Sequence, residues 1–283
     1  MTDTVALIGV GAMGKALLAR LRLANMAVRA FDVAEPGRSV AREAGASVEK
    51  TAADAARGAS HIHVFVRTDD EMIAATLGAD GVVAGAAPGT LLFLHSTILP
   101  ATTRRIAEAA ERKQVRVLDA PVTSVPAKVA AGEAVFLVGG PEETVAAARP
   151  HLLALGRSVY HFGPLGSGNV AKLAKNLANA AERVLMDEVL RVVEAGGLDP
   201  RAYLEMCRTV DQGSLVSRWE RSFSVVDGHA IHRPASNLFN KDMKLAAEYA
   251  ASEGLDVPMM QSAAATGLKW SAQWEREKKT QSA

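Results

Sequence analysis

The opening of the chain constrains its fold more than any other stretch. A short apolar run, Thr4 to Ile8 (TVALI), leads into Gly9-Val10-Gly11-Ala12-Met13-Gly14, and a helical pattern follows through Leu17, Leu18, Leu21 and Leu23. Three glycines so spaced between a strand and a helix have separate tasks. Gly9 permits a tight turn, Gly11 lets the backbone approach a ligand, and Gly14 lets helix and strand pack closely. A second strand, Ala27 to Phe31, ends in Asp32. Strand, glycine turn, helix, and a strand closed by a carboxylate together form a dinucleotide fingerprint, with the helix amides facing the pyrophosphate. Ala12 and Met13 stand within the turn and count with the three glycines as cofactor contacts. A carboxylate at Asp32 can accept both ribose hydroxyls of NAD and would repel the 2′-phosphate of NADP. Arg38, six residues on, could meet that phosphate. The sequence therefore favours NAD and leaves NADP open.

Strand and helix patterns go on alternating to about residue 162, the arrangement that gives a doubly wound parallel sheet. Helices are expected over 39–44 and 52–57. Ile62 to Val66 reads as a buried strand. His61 and His63 share one face of it; with no third ligand nearby they read as strand-end and core histidines, not metal ligands. Val66 and Arg67 end that strand, where open α/β sheets hold their ligands. Both are candidate cofactor contacts, with solvent as the alternative for Arg67. Thr90 to His95 is a further strand ending in Ser96-Thr97, whose hydroxyls can donate to a ribose or amide or cap the helix expected over 102–113. Val115 to Leu118 runs into Asp119-Ala120-Pro121-Val122-Thr123-Ser124-Val125-Pro126. Two prolines and two hydroxyls make this a shaped loop. A strand over 134–138, a helix from Pro141 to about Leu155 and a strand over 158–162 complete the half.

The pattern then changes. Gly163 to Asn179 (GPLGSGNVAKLAKNLAN) opens with Gly163, Gly166 and Gly168 and turns helical at once, with Ser167 or Asn169 available as its cap. Lys172 and Asn176 lie four apart and so share a face among apolar neighbours; the plain alternative for Lys172 is a snorkelling surface lysine. The helix continues to Glu194 and stops at Gly196-Gly197. At roughly 40 Å its apolar face is too long for one small domain, which suits the spine of a helical bundle and an oligomer contact. Helices follow from Pro200, from Phe239 to Glu253 and from Pro258 to Glu277, with a weaker pattern over 215–221 and nothing that reads as a strand. Lys241, Lys244 and Glu248 have the spacing of a solvated face; alternatively Lys241 reaches back to the cofactor. The expected architecture is a doubly wound Rossmann-type domain over 1–165, then an all-α substrate and oligomerisation domain over 166–283, built on a long inter-domain helix.

Composition narrows the partners. Lys plus Arg number 32 against 31 Asp plus Glu, which gives no electrostatic case for nucleic acid or an anionic membrane. No run of 18 apolar residues suggests a membrane span. The single cysteine, Cys207, leaves no intrachain disulfide and no cysteine-rich zinc site. The N-terminus enters a strand directly, without the regions of a signal peptide. A cytoplasmic homo-oligomer, dimer or tetramer, is expected.

Four segments occur in order: the glycine turn, Asp119-Ala120-Pro121-Val122, Gly163 to Asn176, and Lys241-Asp242-Met243. Together they resemble the β-hydroxyacid dehydrogenases, the group containing 3-hydroxyisobutyrate dehydrogenase and tartronate semialdehyde reductase. The resemblance spans nearly the whole chain. It implies that the lysine of G-x-G-x-x-x-K, here Lys172, is catalytic and that Asn176 contacts substrate. It also implies that Lys241 approaches the nicotinamide and that Thr97 touches the cofactor. The family usually follows D-A-P-V with Ser-Gly-Gly, which holds the substrate carboxylate; here Thr123-Ser124-Val125 stand there as the substrate-binding positions. Thr123 keeps a hydroxyl, while Ser124 and Val125 narrow or reshape the anion site. Arg67 replaces a usual proline, and Pro234-Ala235 a usual Gly-Phe pair.

The chemistry so implied moves hydride between nicotinamide and a small β-hydroxyacid or semialdehyde. A base must stand about 3 Å from the substrate oxygen. A lysine serves if burial and nearby positive charge lower its pKa, and in reduction its ammonium returns the proton. Three other functions compete with this one. Imine reductases of similar fold commonly lack a lysine at the Lys172 position. A 6-phosphogluconate-dehydrogenase-like enzyme needs a basic cluster, and Arg218, Arg221 and Arg233 are scattered. A non-catalytic cofactor-binding module would be expected to lose the lysine.

Overall fold

The computed structural model describes residues 4–210, 223–226, 229–232, 237–254, 258 and 261–269. The weak pattern over 215–221, Arg218, Arg221, Arg233, Pro234-Ala235 and the end of the last expected helix lie outside them. The chain divides into two compact units, Met1–Lys172 and Leu173–Ala283.

In the first unit, strand β1 (Thr4–Ile8), helix α1 (Ala12–Leu23) and β2 (Ala27–Phe31) are followed by α2 (Glu35–Glu43), β3 (Ser47–Val48), α3 (Ala52–Ala56) and β4 (His61–Val64). Then come α4 (Asp69–Leu77), α5 (Val82–Gly85), β5 (Leu91–Leu94), α6 (Pro100–Glu111), β6 (Arg116–Asp119) and α7 (Pro126–Ala130). The unit closes with β7 (Ala134–Val138), α8 (Glu142–Leu155), β8 (Gly156–His161) and the start of α9 (Ser167–Ala195). Six strands form one parallel sheet in the order β3-β2-β1-β4-β5-β6. Strands β7 and β8 pair in parallel as a separate two-stranded sheet. Bridges Asp119↔Gly139 and Val122↔Phe136 tie β7 to the loop after β6.

Side-chain period two sorts the sheet into two cores. Val5, Leu7, Leu91 and Phe93 face one, with Leu17, Leu18 and Leu21 of α1 and Phe136 and Leu152 beyond. Ala6, Ile8, Ile62, Val64, Leu92 and Leu94 face the other, over α3 and Ile106 of α6. With both faces covered, the strands are largely apolar, as buried parallel strands are.

His63 therefore belongs to the first face, and it does not stand alone. Buried His63, His95 and His151 form a chain: His63 Nδ1 to His95 Nε2 at 2.7 Å, His63 Nε2 to His151 Nε2 at 2.9 Å, and His95 Nδ1 to the Ala120 carbonyl at 2.7 Å. His61 stacks on His151, and His63 on Phe93. The carbonyl of Ala120 only accepts, so His95 carries its proton on Nδ1 and accepts on Nε2. His63 then donates from Nδ1 and accepts on Nε2, and His151 donates. Each link of the chain is then made with a single proton on His63 and a single proton on His95. Burial holds His95 down at about 4, against the Ala120 bond, and holds His63 well below the usual imidazole range.

The second unit continues α9, a helix of 29 residues in all, and adds α10 (Pro200–Val210), β9 (Phe223–Val226), β10 (His229–His232) and α11 (Asn237–Ser252). Strands β9 and β10 form an antiparallel hairpin, an element the sequence pattern did not announce within this helical half. Met186, Leu190, Leu204 and Cys207 make a core cluster between α9 and α10.

The depressed imidazole pKa values set an acid dependence. In the unfolded chain histidine titrates near 6.5, so below that pH the unfolded state binds protons the folded state refuses. Stability is level above pH 6.5 and falls from there toward pH 4, and His95 alone accounts for about 2 kcal/mol between pH 8 and pH 5. Urea melts at those two pH values measure the loss. His95→Asn, whose amide can still donate to Ala120 but cannot titrate, is expected to shrink it by about that amount.

Candidate functional site

The strand order reverses direction between β1 and β4, and at such a switch point an open α/β sheet has its ligand crevice, beyond the carboxyl ends of the strands. The glycine turn leaves β1 there. Gly9 holds φ +85°, and a Cβ on it would stand 1.9 Å from the Phe65 carbonyl; one on Gly14 would stand 2.0 Å from the Gly9 carbonyl. A Cβ on Gly11 would meet nothing within 4 Å. Gly11 is the N-cap of α1 and no side chain caps it, so Ala12 and Met13 present their amides at an exposed helix start, while Met13 packs its side chain on the first core. Open space before uncapped amides is what a pyrophosphate requires.

Asp32, at the end of β2, accepts from the Val10 amide through Oδ2 at 2.6 Å and from the Ala34 amide through Oδ1 at 2.7 Å. Each oxygen keeps a further acceptor position for a ribose hydroxyl. Arg38 is engaged locally: its Nη1 donates to the carbonyls of Asp32 and Val33, each at 2.9 Å, and its Nε to Glu35 at 2.8 Å. The residues thus fit NAD, and the arginine offered as a 2′-phosphate partner is held by other acceptors.

Beyond β4, the Val66 amide and carbonyl are both taken by the Ser96 hydroxyl, at 2.9 and 2.7 Å. Of the Ser96-Thr97 pair, Ser96 therefore ties two strand ends together and Thr97, buried beside it, is the remaining cofactor candidate. Neither caps α6, whose N-cap is Leu99. Arg67 is exposed and forks onto Glu71 at 2.8 and 3.1 Å.

The loop after β6 meets the start of α9. Lys172 is half-buried, and its Nζ donates to the Val122 carbonyl at 2.7 Å. The amine is therefore held by protein, at the residue next in the chain to Thr123. Thr123 bonds β7 through its amide, to Val135 O at 2.9 Å. The Ser124 hydroxyl turns to the Glu133 carbonyl at 3.3 Å, and Val125, exposed, begins α7. Neither Ser167 nor Asn169 caps α9: the Asn169 side chain accepts from Thr103 at 2.7 Å, and the amides of Gly166 and Asn169 donate to Asp119 at 2.7 and 2.8 Å. The sequence pattern placed Ser96 and Asp119 at this edge but missed the bonds of Asp119 to the start of α9 and of His95 to Ala120. The only available signal was a charged residue closing an apolar strand.

In the second unit Asn176 donates from Nδ2 to Asp242 Oδ2 at 2.8 Å, and Lys241 Nζ lies 3.4 Å from Asp242 Oδ1. The two side chains of that ion pair are only about a fifth exposed, unlike the 78% and 45% of Lys244 and Glu248. Lys241 is thus not part of the solvated stripe its spacing suggested, and Asp242 is a partner the sequence did not single out.

Among the described residues no helix is long and apolar enough to cross a membrane, and no three His, Cys, Asp or Glu side chains group as a metal would need. Removing the Asp32 carboxylate tests the nucleotide site. Asp32→Ser is expected to weaken NAD about 10-fold or more, the loss of a hydrogen bond to a charged group, and to weaken NADP less; fluorescence titration of both reduced cofactors reads this.

Two family models match the chain. The NAD-binding domain of 6-phosphogluconate dehydrogenase matches residues 4–163, and the NAD-binding model of NADP-dependent 3-hydroxyisobutyrate dehydrogenase matches residues 166–283. The NAD-dependent L-serine dehydrogenase of Pseudomonas aeruginosa is 33% identical over 90% of this chain and 88% of its own. The 3-hydroxyisobutyrate dehydrogenase of the same organism is 33% identical over 92% and 89%. A solved structure of the Mycobacterium tuberculosis 3-hydroxyisobutyrate dehydrogenase with L-serine superposes with a TM-score of 0.83 at 29% identity, covering 96% of this chain and 94% of that one.

Proposed function

Because the chain belongs to the β-hydroxyacid dehydrogenase family, among the relatives of 3-hydroxyisobutyrate dehydrogenase, we propose that it oxidises a small 3-hydroxyacid to the semialdehyde, with Lys172 as general acid and base. The observation that carries this reading is the Lys172 amine, half-buried and bonded to Val122 O at 2.7 Å, one residue from the hydroxyl of Thr123. NAD, when bound at the glycine turn, supplies the hydride acceptor. Lys172 takes the proton of the substrate hydroxyl in oxidation and returns it in reduction. Thr123, with its neighbours Ser124 and Val125, forms the substrate-carboxylate loop in this assignment, and Asn176, one turn on along α9, orients the substrate. Asp242 supports that role by holding one N–H of Asn176, which leaves the carboxamide oxygen and a second N–H to work with. Gly9, Gly11, Ala12, Met13, Gly14, Asp32, Val66, Arg67 and Thr97 make up the cofactor side, and Lys241 its nicotinamide end. Residues 1–165 are taken as the nucleotide half and 166–283 as the substrate half, with α9 as a contact between copies of the chain.

The relatives support this substrate class: L-serine and 3-hydroxyisobutyrate are both 3-hydroxy carboxylates, and both stand in their names. Purified protein with NAD and a panel of such acids, followed by NADH absorbance, identifies the preferred one. Lys172→Ala is expected to lose about 10²- to 10⁴-fold in kcat, the worth of general acid–base help, while its Kd for NADH changes little. Near-normal turnover would make Lys172 an ordinary helix lysine.

A further inference from the structure

We propose that Asp119 is a positioning residue of this reaction: its buried carboxylate locks the first turn of α9 onto the loop after β6 and so fixes where the Lys172 amine stands. This rests on the assignment of Lys172 given above. Asp119 is fully buried, and its carboxylate accepts from backbone amides. Oδ1 accepts from the Gly166 amide at 2.7 Å and Oδ2 from the Asn169 amide at 2.8 Å, three residues before Lys172 on the same helix. The slot around it has no room for side chains. A Cβ on Gly139 would stand 2.5 Å from Oδ1, and one on Gly168 would stand 2.8 Å from Oδ2.

The second half of the clamp is the lysine itself. Val122, three residues beyond Asp119, accepts from Lys172 Nζ at 2.7 Å. Side chain, helix turn, lysine and loop backbone therefore close a ring. The loop within that ring is fixed from both sides. The Ala120 amide donates to Leu94 O at 2.9 Å, His95 donates to Ala120 O at 2.7 Å, and the Leu137 amide donates to Pro121 O at 3.0 Å. An ordinary helix cap is local and would leave the helix free to move against its neighbours. Here the cap comes from the segment that also holds the reactive amine, so helix start and amine share one reference. Burial raises the carboxyl pKa against the pull of the amides. A buried carboxylate is weak evidence for stability alone, and a positional role accounts for its place here.

Asp119→Asn puts an NH₂ group against a backbone N–H and loosens the clamp without touching the nucleotide turn. Kcat is expected to fall about 30- to 100-fold, the scale of a displacement near 1 Å, with the Kd for NADH within about twofold of wild type. On a Lys172→Ala background the same change is expected to have no further effect on the residual rate. A melting temperature that falls while kcat holds would reduce Asp119 to a helix cap. An equal loss on both backgrounds would show that it acts on something other than the lysine, and would also overturn the proposal. Near-normal turnover of Lys172→Ala alone would bring down the lysine assignment and this one with it. Asp119→Ser, which keeps one acceptor, carries the test if the asparagine form does not bind NADH.

Discussion

Parallel pairing is the constraint on which the first unit depends. Every pairing in the six-stranded sheet is parallel, so every strand delivers its carboxyl end to one edge. The glycine turn, Asp32, Val66-Arg67, Ser96-Thr97 and the Asp119 to Ser124 loop all leave the sheet there. Residues separated by more than a hundred positions meet because topology gives them nowhere else to go. The same constraint dictates the interior. A parallel sheet is covered on both faces, so its strands must be apolar on both. This chain meets the demand with Ala, Val, Leu and Ile, and aromatics are only 5% of its residues. Histidines stacked on Phe93 take up part of the volume that larger aromatic rings would otherwise fill.

Buried polar groups are costly unless paired, and where they gather is informative. Asp119, Asn169, Thr103, His63 and His95 are all buried, and their bonds converge on one place: the loop after β6 and the opening of α9. The histidine chain terminates on Ala120, the carboxylate terminates on the helix amides, and Ser96 stitches β5 to the end of β4. Networks of this sort rigidify what they connect. The nucleotide turn needs no such network, since backbone amides and missing side chains suffice for a phosphate. A proton-transfer group must be held to a fraction of an ångström, and the dense bonding lies beside the one candidate for that role.

Much of this was legible before any coordinates. The run from Thr4 to Asp32 states strand, turn, helix, strand and acceptor in local order, and local order is what periodicity and glycine spacing report. The length of α9 and the shared face of Lys172 and Asn176 are likewise local. What escaped was long-range. The cap of α9 comes from 50 residues upstream, so Ser167 and Asn169 looked sufficient. The partners of His63 lie 32 and 88 residues on, at His95 and His151, and a strand pattern cannot name them. Spacing suggested a 2′-phosphate partner for Arg38 and a solvated face for Lys241; the contacts they make, with the carbonyls of Asp32 and Val33 for one and Asp242 for the other, follow from backbone paths. The hairpin of β9 and β10 has strands of four residues each, too short for alternation to stand out.

The departure at Thr123-Ser124-Val125 can be weighed in the same terms. The family pattern there offers one hydroxyl and two bare amides. Ser124 brings a second hydroxyl, but that group is turned onto the Glu133 carbonyl and adds no donor to the loop's open side. Val125 brings apolar bulk at the start of α7, half exposed, and leaves its own amide in the chain. Thr123 retains the hydroxyl, and its backbone stays pinned to Val135. On the proposed assignment the hydrogen-bonding inventory for a carboxylate would be that of the family, and the substitutions would act on shape. Shape would then decide which 3-hydroxyacid fits, whereas the proton chemistry would depend on the amine beside it. A loop can change the first while Asp119, Val122 and Lys172 hold the second fixed.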